Sequence, residues 1–256
     1  MNRHLRFSNF FSAILFICFF STSLLSNPLN KINFMTENYP PYNFILDGEV
    51  QGIAVDLMVL MLKRLNTTHT RSDIRILPWA RAYKNVLEDN NTSLFSMTRT
   101  PKREKLFKWV GPISQTSISL IARKDNNILV HSEKEINNYK IGVVRKDIGE
   151  QLLYTLGIKE KQIESTGGID ALHKLIKMLN RNRFDLLSYE SEVVNWEMKK
   201  LGFEIKDYEV VYNLSQAELF FAFHKETPDD LIQLLQKTLD DIKKEKKYEA
   251  IIQKYR

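Results

Sequence analysis

Ser93-Leu94-Phe95-Ser96-Met97-Thr98-Arg99-Thr100-Pro101-Lys102-Arg103 is an apolar run that stops at two threonines, a proline and an arginine. Ser93–Met97 has the length and composition of a buried strand, and the polar, proline-broken stretch after it reads as the loop that leaves that strand. Similar runs recur at Lys31–Met35, Ile74–Leu77, Ser117–Ala122, Lys140–Val144, Phe184–Ser188 and Leu219–Phe223. Helix-period segments lie between them, so the chain reads as an α/β protein with largely parallel sheets. From Ala54 to Leu65, Val55, Met58, Leu62 and Leu65 recur at helical spacing, with Asp56 near the positive end of the helix dipole. Thr227-Pro228-Asp229-Asp230 predicts a second helix start, with Thr227 as cap, Pro228 in the first turn and Leu231, Leu235 and Ile242 facing inward. Asp147-Ile148-Gly149-Glu150 resembles a capping box, and Tyr248–Tyr255 reads as a short closing helix.

The N-terminus sets the expected compartment. Arg3, His4 and Arg6 precede an apolar run from Phe10 to Phe20, and Ser21, Thr22, Ser23 and Ser26 follow. This is the pattern of a secretory signal peptide over 1–26, with cleavage after Ser23 or Ser26, and a retained N-terminal anchor is the competing reading. The run is shorter than the ~20 residues a membrane span needs, and no later segment is apolar for that length. Cys18, the single cysteine, falls inside this segment, so the exported chain is expected to need no disulfide.

The formal net charge is +6, and Arg3 and Arg6 would leave with the signal. Basic and acidic residues interleave along the rest, which argues against a nucleic-acid partner. The densest basic run, Lys243-Lys244-Glu245-Lys246-Lys247, is expected to follow a helix and to complement the negative end of its dipole. Neither a Gly-x-Ser-x-Gly elbow nor a His-Glu-x-x-His pair occurs, and His69, His131, His173 and His224 are scattered. No catalytic group, metal site or cofactor is expected.

The order of motifs resembles the extracellular solute-binding proteins of family 3, which serve polar-amino-acid ABC importers, in a divergent branch. Thr36-Glu37-Asn38-Tyr39-Pro40-Pro41-Tyr42-Asn43-Phe44 and Gly52–Leu57 are similar to that family's opening strand, aromatic-proline loop and first helix. Ser96–Arg103, then Phe107 and Gly111-Pro112, resemble its ligand-binding segment. Asn182–Asp185 with Glu190 resemble its second-lobe strand and acidic contact, and Phe221–Lys225 with Tyr248–Tyr255 its return and last helix. The resemblance implies a two-lobe periplasmic binding protein fold of type II with a discontinuous first lobe. Residues 27–117 would open lobe 1, 118–216 would form lobe 2, and 217–256 would return to lobe 1, with crossings near Ser117 and Gln216. It further implies a monomer in the periplasm that hands an amino acid or similar small ligand to an ABC permease in the inner membrane.

A buried zwitterion needs a cation, an anion and a wall that excludes water. By the resemblance, Arg103 grips the ligand carboxylate, for which a planar, always-charged fork is suited, and Thr98 adds a hydroxyl and an N–H. An arginine paired with Glu104 or with solvent is the competing reading. Tyr39 and Trp79 are the expected aromatic walls, with Tyr42 as the alternative and core packing as the competing role. Leu77–Tyr83 departs from commoner family members, which brings in Arg81 as a further cleft residue. Glu190 would neutralise the ligand amine from the second lobe, or it simply begins a helix. The family's Ser/Gly/Thr-rich second-lobe loop is here Arg145-Lys146-Asp147-Ile148-Gly149, so Arg145 and Lys146 either favour an extra acidic group on the ligand or are solvated. A dehydratase-like enzyme on the same fold, and a domain that presents its ligand to a membrane sensor, remain the alternative functions.

Overall fold

The computed structural model describes residues 27–255. The segment read as an export signal, with Cys18, lies outside the described residues. After a 3-10 turn at Pro28–Lys31 come β1 (Asn33–Thr36), the hairpin of β2 (Phe44–Leu46) and β3 (Glu49–Gln51), and α1 (Ile53–Arg64). Next are β4 (Arg75–Ile76), α2 (Trp79–Glu88), β5 (Thr92–Thr98) and β6 (Phe107–Arg123). The middle of the chain forms β7 (Ile141–Val144), α3 (Ile148–Thr155), β8 (Ile163–Thr166), α4 (Ala171–Asn180), β9 (Leu186–Glu190) and α5 (Ser191–Lys200). The chain then returns through β10 (Tyr208–His224) and ends on α6 (Asp229–Lys243) and α7 (Lys246–Lys254).

Eight strands pair in the order β4-β1-β5-β10-β6-β9-β7-β8. β1 is parallel to β4 and β5, and β7 is parallel to β8 and β9, so each end of the sheet has the expected parallel character. The centre does not: β10 is antiparallel to β5 and β6, and β6 is antiparallel to β9. β6 and β10 are 17 residues each, long enough to belong to both halves. β6 therefore carries the chain from the first half to the second, and β10 brings it back. Ser117 and Gln216, where the sequence placed the two crossings, are direct partners across this ribbon.

Packing follows the local sequence. α1 buries Ile53, Val55, Leu57, Met58, Met61 and Leu62, a face wide enough to cover the sheet beside β1. Its Asp56 is held by Arg71 at 2.6 Å and by Lys254 and Tyr255 at 2.8 Å each, which ties the C-terminal helix to the first half. In the second half, Leu120, Ile141, Val143, Leu153 and Leu186 form a core of their own between β6, β7, β9 and α3.

Two expectations about helix ends are corrected. Thr227 does not cap α6: Pro228 stands at the N-cap position, and the Thr227 hydroxyl is buried without a hydrogen-bond partner among the described residues. The basic run does not simply follow a helix either. Lys243 and Lys244 close α6, but Glu245 is the N-cap of α7, so Lys246 and Lys247 occupy the first turn of the next helix, where the dipole disfavours them.

Candidate functional site

The loop leaving β5 turns back on itself, with the Arg103 N–H donating to the Thr100 carbonyl at 2.9 Å, and this aims the Arg103 side chain inward. Arg103 is 1% exposed. Its Nη1 donates to the Thr98 carbonyl at 3.1 Å and its Nη2 to the Lys146 carbonyl at 3.5 Å. The guanidinium lies 5.4 Å from the centre of the Trp79 ring and 5.2 Å from that of Tyr83, close enough for both ring faces to stabilise the charge. Nε meets no acceptor among the described residues.

Lys146 has φ 63°, in the left-handed region, and its carbonyl is a junction between the halves. Trp79 Nε1 donates to it at 2.8 Å, alongside Arg103, while Gln151 donates at 3.1 Å from its own side. A second bridge lies further out, where Glu197 on α5 accepts from Asn38 at 2.7 Å and pairs with His173 at 2.5 Å. Phe44 and Trp196 add a ring contact across the halves, with centres 5.4 Å apart. The two halves are thus in closed contact.

Two carboxyl groups act on Arg103, Glu37 just after β1 and Asp147 just after β7, and a third, Glu190 at the end of β9, acts with them on Tyr39 and Tyr189; each stands at the carboxyl end of a strand. This is where open α/β sheets place their ligand-contacting groups. Glu37 is 9% exposed and its carboxyl accepts no hydrogen bond from any described residue. Burial pushes its pKa well above the usual carboxylate range, the charge of Asp147 pushes it further, and Arg103 pulls it back. Asp147, 6% exposed, is the N-cap of α3 and accepts from the Gly149 N–H at 3.4 Å. Burial raises its pKa too, against the α3 backbone N–H groups and Arg103. Glu190, 1% exposed, is the N-cap of α5 and accepts from the Val193 N–H at 2.6 Å. Burial outweighs that bond and pushes its carboxyl up to about 7. Tyr39 and Tyr189 complete the cluster with ring centres 5.6 Å apart, and burial raises both phenols well above their ordinary value.

Of the residues singled out in the sequence, Tyr39, Trp79, Thr98, Arg103 and Glu190 are buried in or beside this cluster, and Glu190 is also the helix cap of its competing reading. Tyr42 is buried, stacked on Tyr39 at 5.6 Å, with its hydroxyl 3.3 Å from the Gln115 carbonyl. Arg81 is exposed on the outer side of α2. The Lys146 side chain is exposed as well, and it is the backbone of Lys146 that meets the cluster. The competing pair for Arg103 goes to its neighbour, since Arg99 holds Glu104 at 2.6 and 2.7 Å.

Sequence reasoning missed Glu37, Tyr83, Asp147 and Tyr189. The sequence marks Asp147 as a helix cap, and its place where the family resemblance implies a small polar loop is the signal that could have found it. Two grooves flank Gln216–Glu218 of β10. One, of about 730 Å³, runs between Thr98–Lys102 and α3; the other, of about 530 Å³, is bordered by Thr116, Ser117, Glu190 and Glu192. The larger groove is not where the buried charges converge, and Arg103, Trp79 and Tyr39 border neither.

The model of the bacterial extracellular solute-binding proteins, family 3, matches residues 32–256. The chain belongs to this family. A probable histidine-binding protein of Campylobacter jejuni subsp. jejuni is 22% identical over 222 residues, spanning 85% of this chain and 81% of that relative. Among solved structures, a substrate-binding protein of an ABC uptake transporter from Streptococcus pneumoniae with bound histidine matches with a TM-score of 0.76 at 15% identity, over 90% of this chain and 94% of its own. A histidine kinase sensor domain similar to periplasmic binding proteins also matches with a TM-score of 0.76, at 18% identity, over 88% and 95%. This family 3 protein has the two-lobe periplasmic binding fold of type II, with a first lobe interrupted by the second. Its family is one of solute-binding proteins rather than of enzymes.

Proposed function

We propose that this family 3 protein works in the periplasm, closes its two lobes on a small amino-acid-like ligand, and delivers that ligand to an ABC permease. The proposed lobes are 27–117 with 217–256, and 118–216, divided at the Ser117–Gln216 pair of the β6–β10 ribbon. The observation that carries the reading is the buried cluster in which Arg103 and Glu37 from one lobe meet Asp147 from the other, with Glu190 beside Tyr39 and Tyr189. A molecule that pairs with Arg103 on one lobe and with Glu190 on the other makes both contacts only in the closed form, so its binding favours closure. In this reading Arg103 and Thr98 hold the ligand carboxylate, Glu190 its amine, and Tyr39 and Trp79 exclude water, with Tyr42 behind Tyr39. The exposed side chains of Arg81 and Lys146 take no direct part.

A thermal-shift screen over amino acids, dipeptides and small dicarboxylates tests this. A ligand at about 100 times its dissociation constant adds about 2.7 kcal/mol to stability. At least one of these compounds is expected to raise the melting temperature in a saturable way; if none does, the proposed function is wrong.

A further inference from the structure

We infer that Glu150 is a positioning residue for ligand capture: it holds Lys146 in a left-handed turn, so that a backbone carbonyl of lobe 2 meets Trp79 and Arg103 of lobe 1. This role rests on the ligand-binding reading above and adds to it a residue that the ligand does not touch.

The start of α3 departs from the usual helix cap. Asp147 is the N-cap and Glu150 stands three residues on, where a capping-box glutamate would reach back to the Asp147 N–H. The Asp147 N–H goes instead to the Val144 carbonyl at 3.1 Å, which closes a four-residue turn. Glu150 reaches one residue further, and its Oε2 accepts from the Lys146 N–H at 2.6 Å. Its Oε1 accepts from the Ser165 hydroxyl on β8, also at 2.6 Å. With both oxygens engaged and only 8% of the residue exposed, the carboxylate is fixed, and it fixes the Lys146 peptide in turn.

Lys146 needs such a hold. It is the third residue of the turn from Val144 to Asp147 and has φ 63°, a conformation that glycine or asparagine takes readily and lysine does not. In that conformation its carbonyl collects three donors: Trp79 Nε1 at 2.8 Å and Arg103 Nη2 at 3.5 Å from lobe 1, and Gln151 Nε2 at 3.1 Å from lobe 2. The Lys146 side chain itself is exposed. Trp79 and Arg103 are the proposed wall and carboxylate grip, so Glu150 acts on the site through one peptide unit. Letting Lys146 relax would turn this carbonyl away and weaken the closed form alone, because Trp79 and Arg103 arrive from the other lobe.

Two substitutions at Lys146 separate backbone from side chain. Both delete the exposed lysine, but glycine accepts φ 63° and valine resists it. Calorimetry with those amino acids, dipeptides and small dicarboxylates that bind wild type is expected to show Lys146→Val about tenfold weaker than Lys146→Gly. Glu150→Ala should lose about tenfold against wild type, and Glu150→Gln less, because an amide can keep both bonds. Adding Lys146→Gly to Glu150→Ala should recover most of the loss. Stopped-flow kinetics should place the loss in faster dissociation, with association held within about threefold. Equal affinity for Lys146→Gly and Lys146→Val overturns the inference, and this pair decides it even where Glu150→Ala does not fold. A folded Glu150→Ala that is less stable in urea yet binds as wild type, the mark of a purely structural role, overturns it too, as does a loss that Lys146→Gly fails to recover. In each of those results wild type still binds and the solute-binding function stands. Binding of none of these compounds to wild type would instead remove that function, and the role of Glu150 with it.

Discussion

Glu190→Gln gives the site its sharpest stability signature, because it keeps the shape of the buried side chain and removes the proton. The Glu190 carboxyl is pushed from the ordinary 4.5 up to about 7 by burial. Below pH 4.5 it is protonated in both the folded and the unfolded chain and contributes no pH dependence. As the pH rises from 4.5 to 7, the unfolded chain ionises while the folded one holds its proton, so the folded state binds more protons and wild-type stability falls. Each pH unit costs about 1.4 kcal/mol, which over this window accumulates to about 3 kcal/mol and stays at that level above pH 7. Glutamine cannot ionise and escapes the loss. It is a poorer cap for the Val193 N–H, which costs the variant about 1 kcal/mol at every pH. Urea unfolding followed through the fluorescence of Trp79, Trp109 and Trp196, at pH 4 and pH 8, reads both quantities. The variant is expected to be slightly less stable than wild type at pH 4 and more stable at pH 8. A difference between the two proteins that stays constant across the range would refute the buried-carboxyl account.

Arg103→Ala leaves Glu37 and Asp147 buried without their cation, so a loss of about 3–5 kcal/mol is expected at pH 8, shrinking at low pH as the two acids protonate; a variant as stable as wild type in urea at pH 8 would contradict this. Trp79→Phe keeps the ring beside Arg103 but removes the donor to the Lys146 carbonyl, which retains Arg103 and Gln151, so about 1 kcal/mol should be lost; a loss above about 3 kcal/mol would mean that the ring itself had been displaced. Gly52→Ala puts a Cβ 2.3 Å from the Tyr42 carbonyl oxygen at a residue with φ 124°, where side chains are strained whatever the space. Its expected cost is about 2–4 kcal/mol, and a melting temperature equal to that of wild type would refute the close approach.

The α/β alternation and the order of motifs were legible because the buried strands are short apolar runs, and six of the eight residues proposed for the site lie in or beside the buried cluster, Tyr42 through its stack on Tyr39. What escaped has physical reasons. β8, Ile163-Glu164-Ser165-Thr166, is an edge strand with no fully buried residue, so it shows no hydrophobic alternation. The β2–β3 hairpin turns on Asp47-Gly48, both at positive φ, a turn signal with strands too short to stand out. The first half of β6 contains Gly111-Pro112, which reads as a break, and the outer half of β10 is only partly buried and carries register shifts. Within the site, the sequence shows Lys146 as a charge, whereas its backbone carbonyl makes the contact; a carbonyl leaves no trace in residue type. Asp147 and Glu37 were visible as acids, but only the fold brings them to Arg103 from opposite lobes.

The claim at the centre of this account is that a small amine-bearing solute is captured between the lobes by charges drawn from both. Calorimetric titration of wild type and Glu190→Gln, with the amino acid that gives the largest thermal shift, tests it most directly. The account predicts one ligand per chain for wild type and affinity weakened by about tenfold or more for the variant. Equal affinity in the two proteins would contradict it.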